Sequence, residues 1–83
     1  MKIKSIGSNK TEVNLKDISI LISYETPVAA IRYNRKGAVK TEKFFSVTTS
    51  KHVNQWLQEK GYNPSIVPTI NQDYFNQLLD DNT

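Results

Sequence analysis

The chain contains no cysteine, so neither a disulfide framework nor a thiolate metal site can stabilise it. A single histidine and scattered carboxylates do not supply the three or four converging ligands of a zinc or calcium site. The three glycines are isolated, and the chain has neither a Walker loop nor a GxGxxG sequence. We therefore expect no metal and no cofactor.

Long apolar runs are also missing. No stretch approaches the roughly 18 apolar residues of a membrane span, and no apolar segment of a signal peptide follows residues 1–4. These absences predict a soluble, cytoplasmic protein with no membrane partner. The length of 83 residues, without internal repeats or low-complexity segments, predicts a single domain over residues 1–83.

The charges are unevenly distributed. Residues 1–60 hold all 11 lysines and arginines against five carboxylates, a net charge of +6, whereas residues 61–83 hold three aspartates and no basic residue. The chain is therefore a basic body with an acidic tail. Either the body meets an anionic partner, or the tail packs beside the body's basic side chains.

Alternation of polar and apolar residues predicts a small, curved antiparallel sheet of three to five strands. The clearest strand is Asp17–Tyr24, in which Ile18, Ile20 and Ile22 share one face. The other predicted extended segments are Lys2–Ile6, Thr11–Leu15, Val28–Tyr33 and Ala38–Val47.

A change of period at a Thr-Thr-Ser cluster predicts a strand-to-helix corner. We expect the main helix to run from about Ser50 to Lys60, with Thr48, Thr49 or Ser50 as its N-cap. Gly61 then suits a left-handed C-terminal cap.

The apolar face of this helix includes Trp56, which we expect to cover the sheet as part of the core. Residues 69–72 have capping-box spacing and predict a short C-terminal helix docked beside the main helix. The fold class is therefore α+β: a small antiparallel sheet packed against one main helix, with a short C-terminal helix.

Two motifs carry a family resemblance. Residues 23–30 read SYETPVAA, and residues 48–57 read TTSKHVNQWL. Within about Ile20–Leu57 the chain resembles a family of small uncharacterised bacteriophage proteins, in which an SYxTPVAA strand pair precedes a TTSxHxNxWL corner. The resemblance implies phage origin, action in the infected host cell and a sheet-plus-helix domain. It implies no reaction, and the chain after Gly61 lies outside the shared pattern.

His52 has hydroxyls nearby that suggest a nucleophile and its base. A catalytic triad also needs an orienting carboxylate and an oxyanion hole, and no glycine-rich turn accompanies these hydroxyls. We instead expect the hydroxyls to cap the helix and His52 to lie beside Trp56, one turn further on. The prediction is that the protein is not an enzyme.

The predicted partner site is a basic hairpin with an aromatic residue among its charges: Arg32, Tyr33, Arg35, Lys36, Lys40 and Lys43. Such a ribbon can bind phosphates and stack bases, engage an acidic groove on a protein, or simply solubilise the hairpin. Secondary interaction candidates are His52, Trp56, Asp73, Asp80 and Asp81.

Together these observations predict a small non-enzymatic phage accessory protein that binds a host macromolecule. We expect it to inhibit or modulate a host enzyme or a defence complex, in the manner of an anti-CRISPR protein. The alternative is a nucleic-acid-binding module that uses the hairpin over residues 32–43. A homodimer formed through an open sheet edge is a third arrangement that the sequence allows.

Overall fold

A meander of five strands forms the first half of the chain. The computed structural model describes residues 2–7, 9–33 and 37–82. Within the meander, neighbouring strands pair antiparallel. Their bounds are β1 (Lys2–Gly7), β2 (Lys10–Asn14), β3 (Ile18–Ser23), β4 (Thr26–Arg32) and β5 (Gly37–Thr41).

The sheet has a sixth strand, which corrects the predicted count and direction. After β5 come helix α1 (Val47–Glu59), strand β6 (Thr69–Ile70) and helix α2 (Gln72–Asn82). Strand β6 lies parallel to β5, so the sheet is mixed. The capping-box interpretation was wrong because Asn71, through its Oδ1, accepts the backbone N–H of Asp73 at 2.8 Å. Residues 69 and 70 are thereby free to extend and pair.

The two helices cover opposite faces of the sheet. In β3, Leu21 packs with Trp56 and Leu57 of α1, whereas the preceding Ile20 packs with Phe75 of α2. Adjacent strand residues point to opposite faces, so α2 is not docked beside α1 as predicted. The physical reason is that both faces of the central strands are apolar, and each therefore needs a cover.

Strand β5 ends at Thr41, six residues earlier than predicted. Its register with β4, in which Ala29 pairs with Lys40, would bring Glu42 opposite Pro27. Instead the backbone N–H of Glu42 donates to the carbonyl of Ile70 in β6 at 2.9 Å. The chain then leaves the sheet in a connection over residues 42–46, which we call the corner segment.

Helix α1 ends in the predicted glycine cap. Gly61 has a φ of +89°, and its N–H donates to the carbonyl of Gln58 at 3.0 Å. The N–H of Tyr62 donates to the carbonyl of Leu57 at 2.9 Å, which completes a Schellman motif. No helix in the described part of the chain is both long and apolar enough to cross a membrane.

A buried carboxylate ties α1 to the second strand. Glu12 is 5% exposed, and its Oε1 accepts the indole N–H of Trp56 at 2.7 Å and the ammonium of Lys60 at 2.8 Å. Its Oε2 accepts the side-chain amide of Asn14 at 2.9 Å. The carboxylate therefore holds the last turns of α1 in position over the sheet through two helix residues, Trp56 and Lys60.

These contacts hold Glu12 in its ionised form. Burial alone would raise the pKa of this carboxyl, but the hydrogen bonds from Lys60, Asn14 and Trp56 outweigh burial and lower the pKa from 4.5 to about 2. The folded protein therefore binds fewer protons than the unfolded chain between these two values. The stability that ionised Glu12 contributes is fully present above pH 4.5 and is lost as the pH falls through about 2.

Replacing this carboxylate should remove an acid-sensitive part of the stability. We expect Glu12→Gln to lower the free energy of unfolding at neutral pH by on the order of 3 kcal/mol. It should also flatten the pH dependence between pH 4.5 and 2. Denaturant unfolding, followed by the fluorescence of the single tryptophan, measures both quantities. The matched control is Glu25→Gln at an exposed turn residue; an unchanged acid slope in Glu12→Gln would contradict the assignment.

Candidate functional site

The residues of the predicted basic hairpin do not form one patch among the described residues. Arg32 pairs with Gly37 and Lys40 with Ala29, a register that places the two basic residues on opposite faces of the sheet. Lys43 lies beyond the far end of β5, on the corner segment. The other two basic residues, Arg35 and Lys36, lie outside the described residues.

Two of these side chains have partners within the fold. The hydroxyl of Tyr33 lies 2.8 Å from the Oγ of Ser19. The ammonium of Lys40 donates to the carbonyl of Pro64 at 2.7 Å, which ties the loop after α1 to β5. Both contacts indicate a structural use for side chains that sequence reasoning assigned to a partner.

The secondary candidates are equally dispersed. Trp56 is 1% exposed and offers a partner no surface. Asp73 is exposed in the first turn of α2, on the opposite face of the sheet from α1. Asp80 and Asp81 belong to α2, but their side chains lie outside the described part of the structure.

Four large hydrophobic side chains are exposed at one end of the sheet: Tyr24, Phe44, Phe45 and Val47. We call this group the aromatic end surface. Phe44 is 70% exposed and Val47 65% exposed. The antiparallel meander brings the turn between β3 and β4 and the end of β5 to the same end of the sheet, so residues from two distant segments meet there.

Hydroxyl contacts join these two segments. The Oγ of Ser23 and the Oγ of Ser46 each lie 3.2 Å from the Oγ1 of Thr49. Ser46 is the N-cap of α1 and accepts the backbone N–H of Thr49 at 3.1 Å. Because Ser23 directly precedes Tyr24 and Ser46 ends the corner segment, these bonds hold both parts of the aromatic end surface against the first turn of α1.

His52 lies beneath this surface. Its Nδ1 is 2.8 Å from the Oγ of Ser23, and its ring centroid is 6.0 Å from that of Tyr24. Burial lowers the pKa of His52, and the positive charge of Lys10 lowers it further. Tyr24 itself has a φ of +59°, and its N–H donates to the carbonyl of Asn9 at 2.7 Å.

The serine and histidine do not have the geometry of a nucleophile and its base. Ser23 is 2% exposed, so a substrate cannot reach its oxygen, and no described carboxylate hydrogen-bonds to His52. The described residues also hold no cluster of three or more side chains able to ligate a metal. The pair instead anchors α1 on β3.

A small cavity of about 180 Å³ adjoins the aromatic end surface. The two phenylalanines, Val53 of α1 and the stems of Lys40 and Lys43 line it, among others. The ammonium of Lys43 lies 5.1 Å from the centroid of the Phe45 ring. Polar side chains line it too, Glu42 and Asn54 among them, so the cavity is a mixed pocket beside the exposed aromatic side chains.

Sequence reasoning missed this surface because it assigned residues 44–47 to a strand over the core. One signal does lie in the sequence: two adjacent aromatics directly precede Ser46, a residue type that begins helices. Residues that directly precede an N-cap lie outside the helix, so this position assigns the two aromatics to the connection that leads into α1. The exposure of Tyr24 carries no such local signal.

The fold defines the protein as a small α+β protein with a six-stranded mixed sheet and one helix on each face. The model of a family of unknown function, DUF8033, matches residues 1–76, and the chain belongs to this family. No curated protein and no solved structure matches the chain.

The capping contact yields a direct test of where α1 begins. We expect Ser46→Ala to lower the free energy of unfolding by about 1 kcal/mol, because it removes the acceptor of the Thr49 N–H. Thr48→Ala, at an exposed helical position, is the matched control and should change stability by less than about 0.5 kcal/mol. Chemical denaturation measures both; a larger loss in Thr48→Ala than in Ser46→Ala would place the cap where the sequence predicted it.

Proposed function

We propose that the protein is a non-enzymatic binding protein that docks onto a partner protein through the aromatic end surface. The observation that carries this proposal is the exposure of Phe44 and Val47, which lie three residues apart on either side of the cap of α1. Burying an exposed phenylalanine and valine is worth about 1.5–3 kcal/mol each. Aromatic side chains of this kind dominate the energetics of protein interfaces.

The charges around these side chains describe the partner. Lys43 flanks Phe44, and Lys51 lies one helical turn after Val47; both lysines are exposed. Glu42 is the one carboxylate of the corner segment. We therefore expect the partner to present an apolar surface bordered by acidic side chains.

The biological setting of this binding follows from the resemblance to phage proteins. In that setting the protein acts in the infected cell, and the partner is a host enzyme or a defence complex that the phage protein inhibits or modulates. The aromatic end surface carries no reactive group, which agrees with a protein that acts by occupying a site on its partner.

A second candidate is binding of single-stranded nucleic acid at the same surface. The cation over the Phe45 ring and the exposed Phe44 are features of surfaces on which bases stack beside phosphates. Exposed carboxylates at Glu25 and Glu42 are interspersed with the lysines at this end of the sheet. They repel a continuous phosphate backbone, whereas a protein can place its acidic side chains beside the lysines alone. For this reason the protein partner is preferred.

The test is an affinity capture from host lysate, run with and without nuclease, that compares wild type with a Phe44→Ser/Val47→Ser variant. We expect a stoichiometric protein that survives nuclease and binds the variant at least about tenfold more weakly, a change of about 1.4 kcal/mol. Titration of the purified partner gives the two affinities.

The matched control is Ile66→Ser, which also removes an exposed apolar side chain but lies after the C-terminal end of α1. It should bind the partner as wild type does. Equal partner binding by the double variant would disprove the docking surface. Recovery that collapses with nuclease would favour the nucleic-acid candidate, and capture of a second copy of this chain, checked by sedimentation, would indicate a homodimer.

A further inference from the structure

A larger cavity lies beside the C-terminal end of α1, away from the aromatic end surface. Its volume is about 550 Å³, within the range of roughly 300–1,000 Å³ typical of sites for small ligands. The cavity is an open cleft between the loop that follows α1 and the start of β5. Its main lining side chains are Arg32, Ala38, Tyr62, Ile66, Val67 and Pro68.

The walls of this cavity are mainly apolar. Val67 is buried and Tyr62 is half-buried, and both pack against the core beneath α1. Ile66, by contrast, is 78% exposed, the most exposed of the large hydrophobic side chains in the described residues. The fold itself gains nothing from this exposure, whereas a ligand seated in the cavity would cover the side chain.

Among the described residues, Arg32 supplies the one charged side chain of the cavity. It is half-buried, and its Nε is buried without a hydrogen-bond partner. No ion pair joins Arg32 to a described carboxylate; the ion pair within the described residues joins Lys60 to Glu12. The N–H at Nε is therefore a buried donor that nothing in the described part of the chain satisfies.

The loop wall is held in place by its own hydrogen bonds. The Schellman motif at Gly61 orients Tyr62. The side-chain oxygen of Asn63 accepts the N–H of Ser65 at 3.0 Å, and its carbonyl accepts the N–H of Ile66 at 3.1 Å. A wall fixed before binding lowers the entropy that a ligand must lose on ordering the site.

From these observations we propose that this cavity binds a small organic carboxylate. The carboxylate pairs with the guanidinium of Arg32, a geometry that allows two parallel N–H···O bonds. The apolar body of the ligand packs against Tyr62, Ile66 and Val67. This site is independent of the partner surface at the other end of the sheet.

To test this proposal, the ¹⁵N-labelled protein is titrated with three probes that share the naphthalene ring system: naphthylacetate, naphthylethanol and naphthylethylamine. We expect naphthylacetate to shift the amide signals of residues 61–67. The neutral and cationic probes should bind at least about tenfold more weakly, because they cannot pair with the guanidinium. Absence of naphthylacetate binding, or equal binding of the amine, would overturn the proposal.

Variants locate the contact. Arg32→Leu and Ile66→Ser should each weaken naphthylacetate binding, Arg32→Leu by about tenfold or more, and Arg32→Lys should lie between wild type and Arg32→Leu. Phe44→Ser, at the aromatic end surface, should bind the probe as wild type does. Wild-type affinity in Arg32→Leu would refute the role of the arginine; if that variant does not fold, the three probes on wild type and Ile66→Ser decide the question.

Discussion

The hydrogen bonds at Glu12 are the interaction on which the rest of the structure most depends. A carboxylate on β2 would be costly to bury alone, and it is tolerated because Trp56 and Lys60 donate to it from α1. The bond from Trp56 joins residues 44 positions apart in the sequence. These bonds fix both the rotation of α1 and its distance from the sheet, and thereby position the two ends of the helix at which the candidate sites lie.

Because two helices cover both faces of one small sheet, other parts of the molecule's apolar surface stay exposed. With α1 on one face and α2 on the other, the central strands are buried on both sides, as the complete burial of Ile20 and Leu21 shows. The 83 residues leave little chain to cover the ends of the sheet. The corner segment and the loop after α1 are among the places where large apolar side chains stay exposed, and they carry the two proposed sites.

Part of this organisation was predictable from local patterns. The alternation of Ile18, Ile20 and Ile22 predicted both the strand and their common face, and the structure confirms it. Gly61 predicted the end of α1, because a left-handed cap requires little more than a glycine at the right place. Trp56 was expected in the core and is there. The α+β class followed from these elements.

One wrong boundary and one missed strand show where local patterns fail. Phe44 and Phe45 have high strand propensity, yet β5 ends at Thr41 and the two residues lie in the corner segment before the cap of α1. Strand β6 is only two residues long and exists because β5 offers an open edge beside it. The pairing of β6 has no signature within its own segment, since β pairing depends on what lies across the sheet.

The sequence by itself therefore determined the period, the glycine cap that ends α1 and the residues that must be buried. These are properties of neighbours along the chain, set by backbone geometry and side-chain type. Only the tertiary structure decided which face each helix covers, which carboxylate Lys60 meets and which basic residues share a surface. Those outcomes depend on the register of strands and the packing of distant segments, so two basic residues of one predicted hairpin, Arg32 and Lys40, end on opposite faces.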